Sequence, residues 1–154
     1  MKVAIVYDRV NKFGGAERFL QSIISIFPKA PIFTLVSDKA KSSWVGDHPV
    51  FSTFLNKIKF LRTRHEILAP IAPMAFETHN FKKYDLVITV TSSDAKSIIT
   101  LPHQTHICIC LTPTRYLWSG NKNYRKDPKM KYLPSFLLRY FRFVDKLASD
   151  RPDY

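Results

Sequence analysis

Three short stretches carry residue types that bind or hold charged groups, and each follows an apolar run with the character of a strand. The first is FGGAER, residues 13 to 18, after the run Val3 to Tyr7. The adjacent pair Gly14 and Gly15 lets backbone approach a ligand without a Cβ in the way. A helix starting there offers free N–H groups and a positive dipole end, which suit a phosphate. The other reading of the pair is a turn that needs positive φ. The spacing is neither G-x-G-x-x-G nor the P-loop pattern, so a dinucleotide or Walker-type site does not follow. The second stretch is TSSDAKSI, residues 91 to 98, after Leu86 to Val90. Ser92, Ser93 and Lys96 supply hydroxyls and a cation for a crevice, or else Ser93 or Asp94 simply caps a helix. The third is CLTPTRYLW, residues 110 to 118, at the end of the run His106 to Leu111. Arg115 has the fork geometry for a phosphate or carboxylate, and Tyr116 and Trp118 have faces for a sugar or base; packing and a structural ion pair are the alternative. In open α/β sheets ligands bind beyond the carboxyl ends of strands. Three such loops together argue for one site better than any of them alone.

The elements that must position these loops alternate along the chain. Val3 to Tyr7 reads as a strand buried on both faces. Ala16, Phe19, Leu20, Ile23, Ile24 and Phe27 then recur at helical spacing, with Glu17, Arg18, Gln21, Ser22 and Ser25 on the opposite face, until Pro28 and Pro31. Ile32 to Val36 is a second strand, and a strand–helix–strand order means parallel pairing. Val50 to Ser52, Leu86 to Val90 and His106 to Leu111 read as further strands. Helix is expected from Thr53 to Phe60, from Glu66 to Phe76 with Pro70 and Pro73 bending it, and from Ser135 to Ala148. The fold class is therefore α/β, a Rossmann-like three-layer sandwich on a mainly parallel sheet. Residues 1–154 form one domain. The polar SDRPDY that follows the last helix stands where an α/β chain enters its next strand, so either that helix closes the domain or, the reading preferred, the sequence stops ahead of a natural continuation.

Charge and composition narrow the partners. The chain has 154 residues, 45% apolar, with 24 Lys and Arg against 12 Asp and Glu, a formal +12. That excess implies an anionic partner: nucleic acid, an acidic membrane surface or a phosphorylated small molecule. Two segments are basic and oily at once. FLNKIKFLRTRHEILAPIAPMAF sets Lys57, Lys59, Arg62 and Arg64 among Phe54, Leu55, Ile58, Phe60 and Leu61, and KMKYLPSFLLRYFRF repeats the mixture further on. Bulky aliphatics beside cations suit an anionic membrane interface more than a nucleic-acid surface; a core-packing face with a solvated basic edge is the alternative. No run approaches the length of a membrane span, and MKVAIVYD is not a signal peptide. Cys108 and Cys110, two apart on a strand, point the same way and read as reduced and buried, with a metal or redox role as the alternative. The five histidines lack metal-ligand spacing.

The ordered set MKVAIVYDRVNKFGGAERFL, IFTLVSD, APMAFETHNFKKYDLVITVTSSDAKSI and CICLTPTRYLW resembles the N-terminal domain of retaining family 4 glycosyltransferases, of the kind of the bacterial mannosyl- and hexosyltransferases that build surface polysaccharides. The resemblance covers essentially the whole chain. It implies one half of a GT-B architecture, two Rossmann-like domains facing across a cleft, with the C-terminal donor domain absent from these residues. It implies an acceptor-binding domain of an enzyme that moves a hexose from a nucleotide-sugar, GDP- or UDP-linked, to a lipid-linked or polysaccharide acceptor, with no metal and no further cofactor. Gly14 and Gly15 would then lie by the donor's phosphates, Ser93, Lys96, Arg115 and Tyr116 would line the acceptor side of the cleft, and Lys57, Lys59, Arg62 and Arg64 would face the membrane. The implied partners are an anionic membrane surface, the acceptor, and a donor domain in cis or on a partner chain, with no nucleic acid. The implied location is the cytoplasmic, inner face of the plasma membrane. One departure stands out: relatives carry a histidine just before the Thr-Pro of the third motif, where this chain has Leu111, which neither donates a hydrogen bond nor binds charge. A non-catalytic membrane- or partner-binding module derived from such an enzyme is the alternative.

Overall fold

Strand β1 (Val3–Val10) is the axis of the molecule. In the computed structural model, which describes residues 1–62, 70–118 and 134–154, it lies third in a five-stranded sheet of order β3-β2-β1-β4-β5. The other strands are β2 (Ile32–Ser37), β3 (Val50–Ser52), β4 (Leu86–Thr91) and β5 (Thr105–Cys110). Every pairing is parallel. Parallel strands need crossover connections; α-helices lie in those from β1 to β2 and from β3 to β4, and short 3₁₀ turns in those from β2 to β3 and from β4 to β5.

Alternation along β1 shows how the two faces divide. Ala4 and Val6 belong to a core shared with Phe33, Leu35, Val87, Ala72, Ala75 and Phe76. Ile5, Tyr7 and Val10 belong to the opposite core with Leu20, Ile24 and Ile32. The second core is closed by α1 (Gly15–Ile26) and the first by α2 (Ala72–Glu77). A third helix, α3 (Ser135–Ser149), packs against the short 3₁₀ turn Ala95–Ser97 that follows β4. The result is a three-layer, Rossmann-like α/β sandwich whose order reverses at β1, between β2 and β4. Beyond β5, Cys108 N–H donates to the carbonyl of Tyr154 at 2.8 Å and Tyr154 N–H to that of His106 at 3.3 Å, the pattern of a parallel neighbour.

Several expectations need correction. Glu17 is buried at 1% exposure while Phe19 is 38% exposed, so Glu17 replaces Phe19 on the inward face of α1, beside Leu20 and Ile24, with Ala16, Ile23 and Phe27 packed against the same core as expected. The cause is a partner on the sheet: the Tyr7 hydroxyl donates to Glu17 Oε1 at 2.5 Å. Residues 53–60 do not form one helix. They make two 3₁₀ segments, Phe54–Lys57 and Lys59–Arg62, separated at Ile58, which is extended. Of the apolar residues there, Leu55 is buried while Phe54, Ile58 and Phe60 are exposed, so tertiary packing gives little to stabilise a longer helix. The helix expected over 66–76 is helical from Ala72, with Pro73 in its first turn; residues 66–69 lie outside the described residues. Cys108 is half-buried and Cys110 exposed, both free, because β5 is buried less fully than the central strands. Burial still pushes the Cys108 thiol up to about 11.

The inward register of α1 is tested by paired truncations. Leu20→Ala should lower the unfolding free energy in urea by about 2–5 kcal/mol, whereas Phe19→Ala, at a partly exposed position, should lower it by about 1 kcal/mol. Equal losses would contradict this placement of the helix.

Candidate functional site

The three loops leave β1, β4 and β5 at their carboxyl ends, and two buried carboxylates hold the second and third of them. The first is Asp8, late in β1. Its Oδ1 accepts from Thr91 Oγ1 at 2.8 Å and from Ala95 N–H at 2.9 Å, and its Oδ2 accepts from Ser92 N–H at 2.7 Å. The chain leaving β4 needs donors satisfied as it turns away from the sheet, and Asp8 satisfies two backbone N–H groups there. Neither Ser93 nor Asp94 caps the turn in the expected way. Ser93 Oγ instead donates to Asp94 Oδ2 at 2.7 Å, and Asp94 as N-cap residue makes no side-chain cap bond.

The second is Asp145 on α3. Lys96 Nζ lies 3.0 Å from its Oδ1, and both side chains are buried. Thr114 Oγ1 donates to the same Oδ1 at 2.6 Å, and Trp118 Nε1–H donates to Oδ2 at 2.8 Å. One carboxylate on α3 thus holds the cation of the second loop and two groups of the third. Arg142, a turn earlier, donates from Nε to the carbonyl of Leu117 at 2.8 Å, and its guanidinium stands 5.4 Å from the centroid of Trp118.

Asp94 sits between these two anchors. It is buried, and its other oxygen accepts from the Tyr116 hydroxyl at 3.3 Å. Burial pushes its carboxyl up to about 6, with the charge of Asp8 adding to the effect against the lowering hydrogen bond from Ser93. Burial and the neighbouring Asp94 charge likewise raise the Tyr116 phenol, which stays protonated as a donor. Burial lowers His106 to about 4, so its imidazole is neutral, with Nε2 2.8 Å from Thr89 Oγ1. It lies within the sheet and away from the loop ends.

The FGGAER loop has its own geometry. Gly14 is the N-cap of α1 at φ −164°, an extended backbone open to any residue, and the sole positive φ among the described residues is at Gly46. The pair is therefore not a turn that demands glycine. A Cβ on Gly14 would stand 3.2 Å from Glu17 Oε2, whereas one on Gly15 would meet open space. The start of α1 has no side-chain cap bond, and its first turn carries free N–H groups by construction. Phe13 beside it is exposed, with Arg18 over its ring and Trp44 6.0 Å away.

The residues named from sequence therefore separate. Gly14 and Gly15 lie at an open helix start. Ser93 and Lys96 are buried in the polar network that supports the loops, and the Lys96 ammonium is engaged by Asp145. Tyr116 is half-buried over Asp94, and Arg115 is exposed. Lys57 and Lys59 are exposed; the Arg62 side chain and Arg64 lie outside the described residues. The crevice among Met74, Asp94, Ser97, Tyr116, Tyr140 and Asp145 has a volume of about 40 Å³, room for little more than a water or two. Among the described residues no group of three or more His, Cys, Asp or Glu side chains could hold a metal ion, and no helix is long and apolar enough to cross a membrane. Sequence reasoning missed Asp8 and Asp145. The available signal was one acid at the end of a buried strand and one inside an oily helix, each implying a buried partner.

Asp94 gives a pH test. A carboxyl that binds its proton more tightly folded than unfolded contributes less stability as pH rises from the ordinary 3.8 to about 6, and nothing further changes above that. Asp94→Asn should therefore gain on the parent chain by about 1–3 kcal/mol between pH 4 and pH 7 in urea unfolding. A difference between the two chains that is flat in pH would refute the raised value.

Comparison with known proteins gives limited matches. No family model matches the chain, and no curated protein does. Among solved structures, the lipopolysaccharide outer core galactosyltransferase WaaB in its apo form is similar at 26% identity, with a TM-score of 0.35, a score at which a likeness fixes neither fold nor activity. That match spans 59% of this chain and 26% of the WaaB chain.

Proposed function

We propose that this chain is the acceptor-side domain of a GT-B hexosyltransferase, moving a hexose from a GDP- or UDP-linked sugar to a lipid-linked or polysaccharide acceptor. The observation that carries this reading is the placement of FGGAER, TSSDAKSI and TPTRYLW at the carboxyl ends of the neighbouring strands β1, β4 and β5, the second and third held by Asp8 and Asp145. The order and content of those loops are what resemble the retaining family 4 enzymes. In this reading the uncapped start of α1, kept open by Gly14 and Gly15, receives the donor's phosphates. Exposed Arg115 and the Tyr116 ring border the acceptor. Lys96 and Ser93 act through the positions of the loops, not by contact. A donor domain, in cis or on a partner chain, completes the cleft, and no cofactor beyond the nucleotide-sugar takes part.

Docking on the cytoplasmic leaflet belongs to the same proposal. Phe54, Ile58 and Phe60 are each more than half exposed beside exposed Lys57 and Lys59, a mixture that suits an anionic lipid surface.

A second reading is a non-catalytic module derived from such an enzyme. Leu111 favours it: where relatives present a histidine, its side chain packs against the core closed by α1 and offers no polar group.

Transfer assays separate the two readings. The chain alone should be inactive towards labelled GDP- and UDP-hexoses with lipid-linked acceptors, and should gain activity when joined to a donor domain. In that complex Arg115→Ala should lower kcat/KM by about tenfold to a hundredfold, or about 1.4–2.7 kcal/mol. No turnover with any donor domain would favour the non-catalytic module. For the membrane, co-sedimentation with vesicles should rise with anionic lipid and fall when Lys57, Lys59, Arg62 and Arg64 are all changed to Gln. Binding indifferent to lipid charge would remove the docking claim and leave the transfer reading in place.

A further inference from the structure

At the amino ends of the strands, across the sheet from the three loops, lies a second and larger hollow. Its volume is about 720 Å³, within the range of about 300–1,000 Å³ usual for ligand sites. Ile26 and Phe27 at the end of α1, Pro31 and Pro49 ahead of β2 and β3, and Phe51 on β3 give it an apolar lining. Ile26 is 65% exposed and Phe51 47%, although Phe51 is backed by the ring of Phe33, 5.2 Å away. Lys2, Lys29 and Lys83 also line it, and all three are exposed. Lys83 Nζ stands 5.3 Å from the centroid of the buried Tyr84 ring. Two exposed acids flank the lining in sequence: Asp47, two residues before Pro49, and Asp85, next to Tyr84. Asp85 is engaged, for its Oδ2 accepts from the Lys2 N–H at 2.6 Å and lies 4.0 Å from the Met1 amine. The carbonyls of Lys2, Pro31 and Pro49 accept from the N–H groups of Leu86, Ile5 and Ile32, so recognition in the hollow falls to its side chains.

We infer that this hollow holds an acidic, amphipathic peptide segment of a partner protein. The segment's apolar side chains enter between Ile26, Pro49 and Phe51, and its acids meet Lys2, Lys29 and Lys83 at the rim. Charge selects the occupant: three lysines face two acids, one of them already engaged, and complementary charge is what fixes a partner and its register. Shape selects it as well, because a bilayer is flat on this scale and does not fill a hollow. A second copy of the chain offers no complement, since its other exposed apolar surfaces are themselves basic. Lys57 and Lys59 stand among Phe54, Ile58 and Phe60. On α3, Arg139 and Lys146 accompany an outer row of Phe136, Tyr140 and Phe143, set at steps of four and three residues, with Asp150 at the helix end. The formal +12 of the chain opposes self-association further. The hollow lies at the opposite end of the sheet from the candidate site, so an occupant leaves the three loops free, and the inference does not rest on the transfer reading.

Selection of random peptides displayed on phage against the whole chain supplies the probe. Enriched peptides should combine Asp or Glu with Leu, Ile, Phe or Pro, and a synthetic copy should bind the parent chain with saturation. Lys29→Gln with Lys83→Gln should weaken that binding by about threefold to tenfold, the scale of two exposed ion pairs. Ile26→Glu, which sets a like charge in the apolar lining, should weaken it by more than about tenfold. Lys39→Gln with Lys41→Gln removes the same charge just after β2, at the other end of the sheet, and should leave binding within about twofold of the parent. An unchanged thermal transition shows that these exposed substitutions leave the fold intact. If Ile26→Glu does not fold, Lys29→Glu with Lys83→Glu takes its place and should abolish binding. Enrichment of peptides without acids, or of none, would overturn the inference. Equal losses in the two Gln pairs would overturn it too, by assigning the binding to net charge. A probe indifferent to Ile26→Glu would place the peptide elsewhere on the chain. Vesicle binding or self-association lost with Ile26→Glu, in the absence of peptide binding, would give the hollow to lipid or to a second copy.

Discussion

A carboxylate removed from water must be paired, and Asp145 is paired three times over. Lys96, Thr114 and Trp118 all reach it within 3.0 Å. Breaking such a pair on one side leaves an uncompensated buried charge, which is far more damaging than the pair is stabilising. The loops after β4 and β5 are therefore fixed to α3 by a requirement stronger than packing preference. Asp8 imposes the same kind of requirement nearer the centre of the sheet, where one carboxylate spans from β1 to a segment 87 residues later. Between the two, the backbone that presents Tyr116 and Arg115 is determined by groups that solvent does not reach.

The sheet was readable because buried parallel strands leave a plain trace, short apolar runs rich in Val and Ile, as in β1, β2 and β4, and the less buried β3 and β5 also stand where expected. What escaped was anything decided by a partner distant in sequence. Glu17 belongs by spacing to the polar side of α1, and only the Tyr7 hydroxyl on the neighbouring strand explains its inward position. The stretch after Thr53 has helical spacing but little core to pack on, and spacing alone does not reveal that. Gly14 and Gly15 were legible as a feature and not as a cause: Gly14 is extended and Gly15 opens α1, and only at Gly14 would a Cβ crowd a neighbour, the Glu17 carboxylate.

The candidate site divides in the same way. Loop identity was visible, since polar residues following apolar runs mark strand ends. Roles within the loops were not. Lys96 and Arg115 are both basic residues in post-strand loops, yet one is neutralised in the interior and the other meets solvent. The difference lies in Asp145, 49 positions from Lys96 along the chain: an acid inside an oily helix implies a buried partner, but nothing near it names Lys96 as that partner. A cation in such a loop says that an anion is nearby; it does not say whether the anion is a ligand or the protein itself.

The rigidity of α3 has a mechanical consequence. Asp145 and Phe143 stand two residues apart on a continuous helix, one facing the loop network and the other facing outward. A helix does not turn or slide on one side only. Any load carried by the outer row is delivered, through less than one turn of backbone, to the carboxylate that grips Lys96, Thr114 and Trp118. α3 is thus a beam with the loops fastened to its inner side, and the placement of one surface sets the placement of the other.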